Sequence, residues 1–323
     1  MIPEKEHMGK GIVVVGATFV DIKGFPHDLY LPTGRNVGHI EYIHGGVARN
    51  VAEDIANAEL RPTFVTIVDD SPLGTDVVRK LKNHRVNTDY ILTRKDGMGT
   101  WLAVFDNNGD VAGSISKRPN MLHLIDLLEN KGDEIFSDAD AIVVEIDIDK
   151  EIIKKCFELA AKHNKKIFAL VSNMSLAAER RDFIKKLDCF ICNIAEAGIL
   201  FADEYEEKTP DEMKEILAEK IKQARIKAMV VTMGADGAVY ADQNGNKGIC
   251  PAKKVHVKDT TGAGDAFCAG VSIGLTYGKN MPDSIEIGAT LAAPVITSSE
   301  NVCPRFMPEE LGIEKEYISH IDV

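Results

Sequence analysis

The chain has no excess of positive charge, no long apolar run and few cysteines. Of its 323 residues, 38 are Lys or Arg and 50 are Asp or Glu, a formal net charge of −12. Non-specific binding along a nucleic-acid backbone needs clustered cations, so no nucleic-acid partner is expected. No apolar stretch reaches membrane-spanning length, and the first residues hold no apolar signal core. No membrane partner is expected, and a cytoplasmic location is. Six cysteines in a chain this long do not make a disulfide scaffold. Cys189 and Cys192 have CxxC spacing, but positions three apart on a strand face opposite ways and cannot share a metal. The phosphate-cradling motif GxxxxGK[ST] is missing as well.

What the chain does have is alternation. Apolar runs with strand character, such as 11–17, 63–69, 141–147, 166–171, 189–193 and 228–234, take turns with amphipathic stretches of helical period at 45–60, 74–84, 150–164 and 211–224. This order predicts a doubly wound, Rossmann-like α/β/α sandwich around a mainly parallel sheet. Two insertions break the rhythm, at about 18–44 and 99–116. The second reads as a hairpin turning at Asn107-Asn108-Gly109. Antiparallel strands inserted there predict a small β-sheet lid on one large domain spanning 1–323.

The stretch "KDTTGAGDAFCAG" (258–270) sets a glycine-rich turn before a helix. Amides of Gly262, Ala263 and Gly264 can cradle an anion at the helix N-terminus. The glycine spacing after Gly264 is wrong for a dinucleotide fingerprint, and Asp265 in the first turn would repel a resting phosphate. A carboxylate beside an anion cradle suits phosphoryl transfer to an alcohol, where it takes the hydroxyl proton. It equally suits a first-turn Asp that favours the helix dipole.

Three further motifs carry two readings each. "MGADGAVY" (233–240) follows a strand ending in Thr232, and Gly234 and Gly237 bring backbone near a phosphate tail or simply form a β-turn. In "CNIAEA", Asn193 and Glu196 can orient water around Mg²⁺ or close a capping box. In "GGVARNVA", Gly45 and Gly46 permit close ligand approach, and Asn50 can meet sugar hydroxyls or merely start a helix. Asp21 can accept hydrogen bonds from a diol. His44 is read first as a packed lid histidine and Trp101 first as a packing residue, with ligand contact the second reading of each.

Taken in order, these motifs over about 11–306 resemble the ribokinase-like, or PfkB, carbohydrate kinases. "DTTGAGDAF" (259–267) is the most specific of them. The resemblance implies ATP and Mg²⁺, with Asp265 as catalytic base and Gly262, Ala263 and Gly264 as the anion hole. It implies Asn193 and Glu196 near the Mg²⁺, Thr232, Gly234 and Gly237 near ATP, and Asp21, Gly45, Gly46 and Asn50 on a small-molecule sugar or nucleoside. Asp259 and Thr261 match a loop that in many members binds a monovalent cation such as K⁺. Stretches 20–24, 35–53 and 99–110 are similar to pseudouridine kinases, which implies pseudouridine as acceptor. Plain sugars and conventional nucleosides are the alternative acceptors, and a non-catalytic nucleotide- or sugar-binding protein of the same fold is the alternative from another class. Arg35, Val37 and Ser172-Asn173 depart from the common pattern. Apolar lid strands imply a homodimer.

Overall fold

The computed structural model describes residues 11–314. Strand β1 (Val13–Val15) leads into β2 (Phe19–Pro26) and β3 (Gly38–Gly45), and helix α1 (Val47–Asn57) follows. Then come β4 (Thr63–Val68), α2 (Pro72–Asn83), β5 (Ile91–Thr93), β6 (Gly99–Phe105) and β7 (Val111–Lys117). The middle of the chain holds α3 (Leu124–Ser137), β8 (Ala141–Glu145), α4 (Lys150–Lys162), β9 (Lys166–Leu170) and two short helices, α5 (Met174–Ala178) and α6 (Arg181–Ile184). After these lie β10 (Cys189–Asn193), α7 (Ile194–Phe201), α8 (Pro210–Ala224) and β11 (Ala228–Thr232). Strands β12 (Ala238–Asp242) and β13 (Lys247–Cys250) precede α9 (Ala263–Thr276) and α10 (Met281–Thr297).

Nine strands form the main sheet in the order β13-β12-β11-β10-β9-β8-β1-β4-β5. Its seven strands from β11 to β5 run parallel, while β12 and β13 extend it antiparallel. Two apolar cores lie on its two faces, and alternation along each strand feeds both. Cys189 belongs to one core and Cys192 to the other, so the CxxC pair is split by the strand that carries it.

Helix boundaries follow their capping residues. Helix α2 starts earlier than its apolar period suggests, because Ser71 accepts from the Gly74 amide and Pro72 occupies the first turn. Thr209 and Glu212 form a capping box on α8, with Pro210 at the first turn.

The two insertions build a separate four-stranded sheet, β3-β2-β6-β7. Strand β2 pairs antiparallel with β3 and parallel with β6, and β6 pairs antiparallel with β7. Gly109, with φ of 86°, closes the hairpin as its sequence predicts.

Candidate active site

Helix α9 begins where three chain segments meet. Gly262 caps it at φ 82°, and a Cβ there would sit 2.1 Å from the carbonyl oxygen of Asn301. Glycine is therefore required by the backbone running past it. Gly264, one turn position on, is the opposite case. A Cβ on it meets nothing within 4 Å, so its face opens onto free space at the helix N-terminus. Of the three predicted cradle amides, that of Ala263 already donates to Thr260 O at 3.2 Å. Ahead of them the Thr261 amide donates to Asp259 Oδ1 at 2.9 Å, which holds the Asp259 carboxyl below its usual range.

Asp265 sits in the first turn of α9, partly exposed. Asn50, on α1 and 215 residues earlier, donates from Nδ2 to Asp265 Oδ2 at 2.6 Å. Desolvation pushes the Asp265 carboxyl up to about 7; the Asn50 bond and the Arg49 charge pull it down, and Glu196 adds to the rise.

Paired glycines bring the small sheet against this site. A Cβ on Gly45 would lie 2.8 Å from the Asp21 carboxylate, and one on Gly46 (φ 96°) 2.8 Å from Ala17 O. Burial raises the Asp21 carboxyl, against the pull of Lys23 and Arg49. Arg49 is fully buried, pairs with Glu53 and donates to His44 O. Asn301 Nδ2 donates to the same oxygen at 2.8 Å, so the end of β3, the start of α1 and the segment behind Gly262 are tied together.

His44 turns its ring to α2, with Nε2 3.1 Å from Asp76 Oδ2, and burial lowers its pKa. Trp101 is the cross-strand partner of Asp21. It meets the edge of Phe105, which stacks on Phe25, which stacks on His39. An aromatic row thus extends along the strands from Asp21.

At the far side of the cleft, Asn193 ends β10 and Thr232 ends β11, and the two are register partners. Asn193 and Glu196 form a complete capping box, each bond 2.8 Å, so one oxygen of each side chain is committed to the helix. Burial raises the Glu196 carboxyl. Gly234 (φ 60°) opens a short 3₁₀ turn and faces free space. Gly237 (φ 90°) is instead pressed by β13, since a Cβ there would be 2.1 Å from Cys250 O. Among the described residues, no three His, Cys, Asp or Glu side chains converge as a metal-binding group.

Two acidic residues escaped the sequence reading. Glu145 ends β8 and is buried, accepting from the Ala17 amide at 2.8 Å. Desolvation raises its pKa, and Asp147 adds to the rise. Asp147 accepts from the amide and hydroxyl of Ser172 at 2.9 and 2.7 Å. The signal was present in "AIVVEID": a carboxylate closing an apolar parallel strand lies at the edge where α/β sheets hold ligands.

Residues 10–303 match the model of the pfkB family carbohydrate kinases. The chain is 33% identical over 292 residues to guanosine-inosine kinase of Exiguobacterium acetylicum, covering 90% of this chain and 95% of that protein. Pseudouridine kinase of Escherichia coli is 24% identical over 277 residues, covering 85% and 86%. The specific likeness to pseudouridine kinases is therefore not supported. Local stretches suggested it, but over the whole chain the purine nucleoside kinase is the nearer of the two. Ribokinase of Arabidopsis thaliana, solved with ribose and ATP, shares the fold at a TM-score of 0.80 and 19% identity, covering 94% of this chain and 99% of that one. The chain is thus an ATP-dependent sugar or nucleoside kinase, and it belongs to the pfkB family of carbohydrate kinases.

Proposed function

We propose that the chain transfers the γ-phosphoryl group of ATP to the primary 5′-hydroxyl of a nucleoside, a purine nucleoside first of all. The observation that carries the reaction is Asp265, with a carboxyl near 7, beside a helix N-terminus whose Gly264 face is open. Asp265 takes the hydroxyl proton as the oxygen attacks phosphorus, and ADP leaves. Amides of the Gly262–Gly264 turn offset charge on the moving group. Asp21, Gly45, Gly46 and Asn50 hold the sugar, and the small sheet closes as a lid that excludes water. Thr232, Gly234 and Gly237 border ATP. Mg²⁺ would neutralise phosphate charge, and Glu196, with one oxygen outside its capping box, fits an ion held mostly by phosphates and water. Asp259 and Thr261 would brace the turn around a monovalent cation such as K⁺.

Support for a nucleoside comes from the 33% likeness to guanosine-inosine kinase and from Trp101 beside Asp21, where a base can stack. Pseudouridine is the second reading, favoured by the 24% likeness to the pseudouridine kinase of Escherichia coli. An ATP-consumption screen over guanosine, inosine, adenosine, pseudouridine, uridine, ribose, fructose and 2-keto-3-deoxygluconate separates them. Turnover is expected on guanosine or inosine. Turnover on ribose or fructose with none on any nucleoside overturns the substrate reading.

A further inference from the structure

Two buried oxygen atoms on α1, one helical turn apart, have no hydrogen-bond partner: Asn50 Oδ1 and Asp54 Oδ2. The other polar atom of each side chain is engaged. Asn50 Nδ2 donates to Asp265, and Asp54 Oδ1 accepts from the Cys303 amide at 2.7 Å. Asn50 is 5% exposed and Asp54 not at all. Positions i and i+4 share a helix face, so the two side chains lie on the same side of α1 and both are buried there. Two acceptors satisfy each other only when one carries a proton.

We propose that Asp54 donates a carboxyl proton toward Asn50 Oδ1, directly or through one water, and so keeps the Asn50 amide N–H on Asp265. Asp54 is then a positioning residue for the base, a role that rests on the reading of Asp265 given above. Substrate cannot supply the missing donor, because Asn50 Oδ1 has less than 1 Å² of accessible surface. The Cys303 amide accounts for Asp54 Oδ1, and the Cys303 thiol, though close enough to the carboxyl to affect it, donates to the Asp54 backbone oxygen at 3.8 Å, so Oδ2 keeps no hydrogen-bond partner. The electrostatics agree. Desolvation raises the Asp54 carboxyl far above its usual range, the charges of Asp265 and Glu53 add to the rise, and only the contacts from Cys303 oppose it. A reversed Asn50 would put its oxygen against the Asp265 carboxylate and remove the bond that lowers the Asp265 pKa. The other groups facing Asp265 are Arg49 on the same helix, Glu196 on α7, Glu145 on β8 and Cys268 on its own helix.

The test compares Asp54→Asn with Asp54→Leu in the whole chain, reading kcat/KM against pH, with melting temperature as a check on folding. Asn keeps an acceptor for Cys303 and an N–H for Asn50, so most of the turnover and the acid midpoint are expected to survive. Leu removes the donor, and the midpoint is expected to move to higher pH by about half a unit, with kcat/KM down about twofold at neutral pH. An unmoved midpoint in Asp54→Leu reduces Asp54 to an anchor and overturns the proposal. A midpoint moved down in Asp54→Asn also overturns it, since a charge, not a proton, was then removed. Should the Leu variant fail to fold, the side-chain carboxyl ¹³C shift of Asp54 in the wild-type enzyme decides. An ionisation held well above the ordinary carboxylate range is expected, and ionisation within that range refutes it. Asp265→Asn is run alongside: retained turnover there removes Asp265 as base, while the ¹³C titration still reports on Asp54.

Discussion

At Asp265, burial sets the direction of two separate pH effects. A carboxyl near 7 is protonated below that value, and a protonated acid cannot take the hydroxyl proton. The rate at low substrate, kcat/KM, which reports ionisation of the free enzyme, is therefore expected to fall on the acid side with a midpoint near pH 7. Stability runs the other way. The folded pKa lies above the unfolded value of about 3.8, so the native state holds a proton that the unfolded chain has released. That contribution is full below pH 4 and is lost as pH rises toward and through 7. Asp265→Asn is expected to lower kcat by about 100-fold or more, with ATP affinity little changed. The same variant should flatten the decline of melting temperature between pH 4 and 7. Retained turnover, or an unchanged slope, contradicts the burial-driven reading.

The turn into α9 contains two glycines whose reasons differ, and substitution separates them. Gly262→Ala places a methyl group against the Asn301 carbonyl at a positive φ, so the turn and the segment behind it must move. A loss of about 1–3 kcal/mol in unfolding free energy is expected, measured by denaturant titration. Gly264→Ala meets no atom of the protein and lies in a helical first turn, so the fold should tolerate it. Its methyl group enters the space assigned to the phosphoryl group, and kcat should fall with little change in stability. A Gly264→Ala enzyme with full turnover would place the phosphoryl elsewhere. How much of this was legible in sequence follows from distance along the chain. Gly262, Gly264 and Asp265 are contiguous, so the turn and its chemistry could be read directly. Asn50 reaches Asp265 across 215 residues and Asn301 backs Gly262 from after α10, and no local pattern encodes such meetings. Helix α1 shows the same limit. Its helical period, with Val47, Val51, Ile55 and Ala58 in line, predicts a single apolar stripe, yet Arg49, Glu53 and Asp54 on its other faces are buried too, because His44 takes the Arg49 guanidinium, Lys80 of α2 and His84 just after it lie against Glu53, and the Cys303 amide donates to Asp54. Asn193 and Glu196 sat equally well with a metal and a capping box, and the capping box is what the backbone forms.

Across the whole molecule, the four-stranded sheet has two faces of different chemistry. Register places Asp21 and Trp101 on one of them. Ile22 pairs with Tyr42 and Leu102, Leu102 with Ile115, and Gly24 with Ile40 and Val104, so these apolar side chains share the other face. Ile115 is 70% exposed, Ile40 62% and Tyr42 57%. A contiguous exposed apolar face of this kind is expected to be a contact surface. Strands β3 and β7 at the sheet's edges also carry backbone groups open to pairing. A second copy of the same chain fits best, since a two-fold axis pairs an apolar face with itself. Covering the back of the lid would brace the face that carries Asp21 and Trp101, which links assembly to acceptor binding. The double variant Ile40→Lys with Ile115→Lys puts like charges on both partners and leaves the cleft side chains in place. Sedimentation equilibrium should give a dimer for the wild-type chain and a monomer for the variant. KM for the nucleoside should rise while KM for ATP, bound on the main sheet, stays near its original value. A monomeric wild-type chain, or a monomeric variant with unaltered nucleoside KM, separates the lid from assembly.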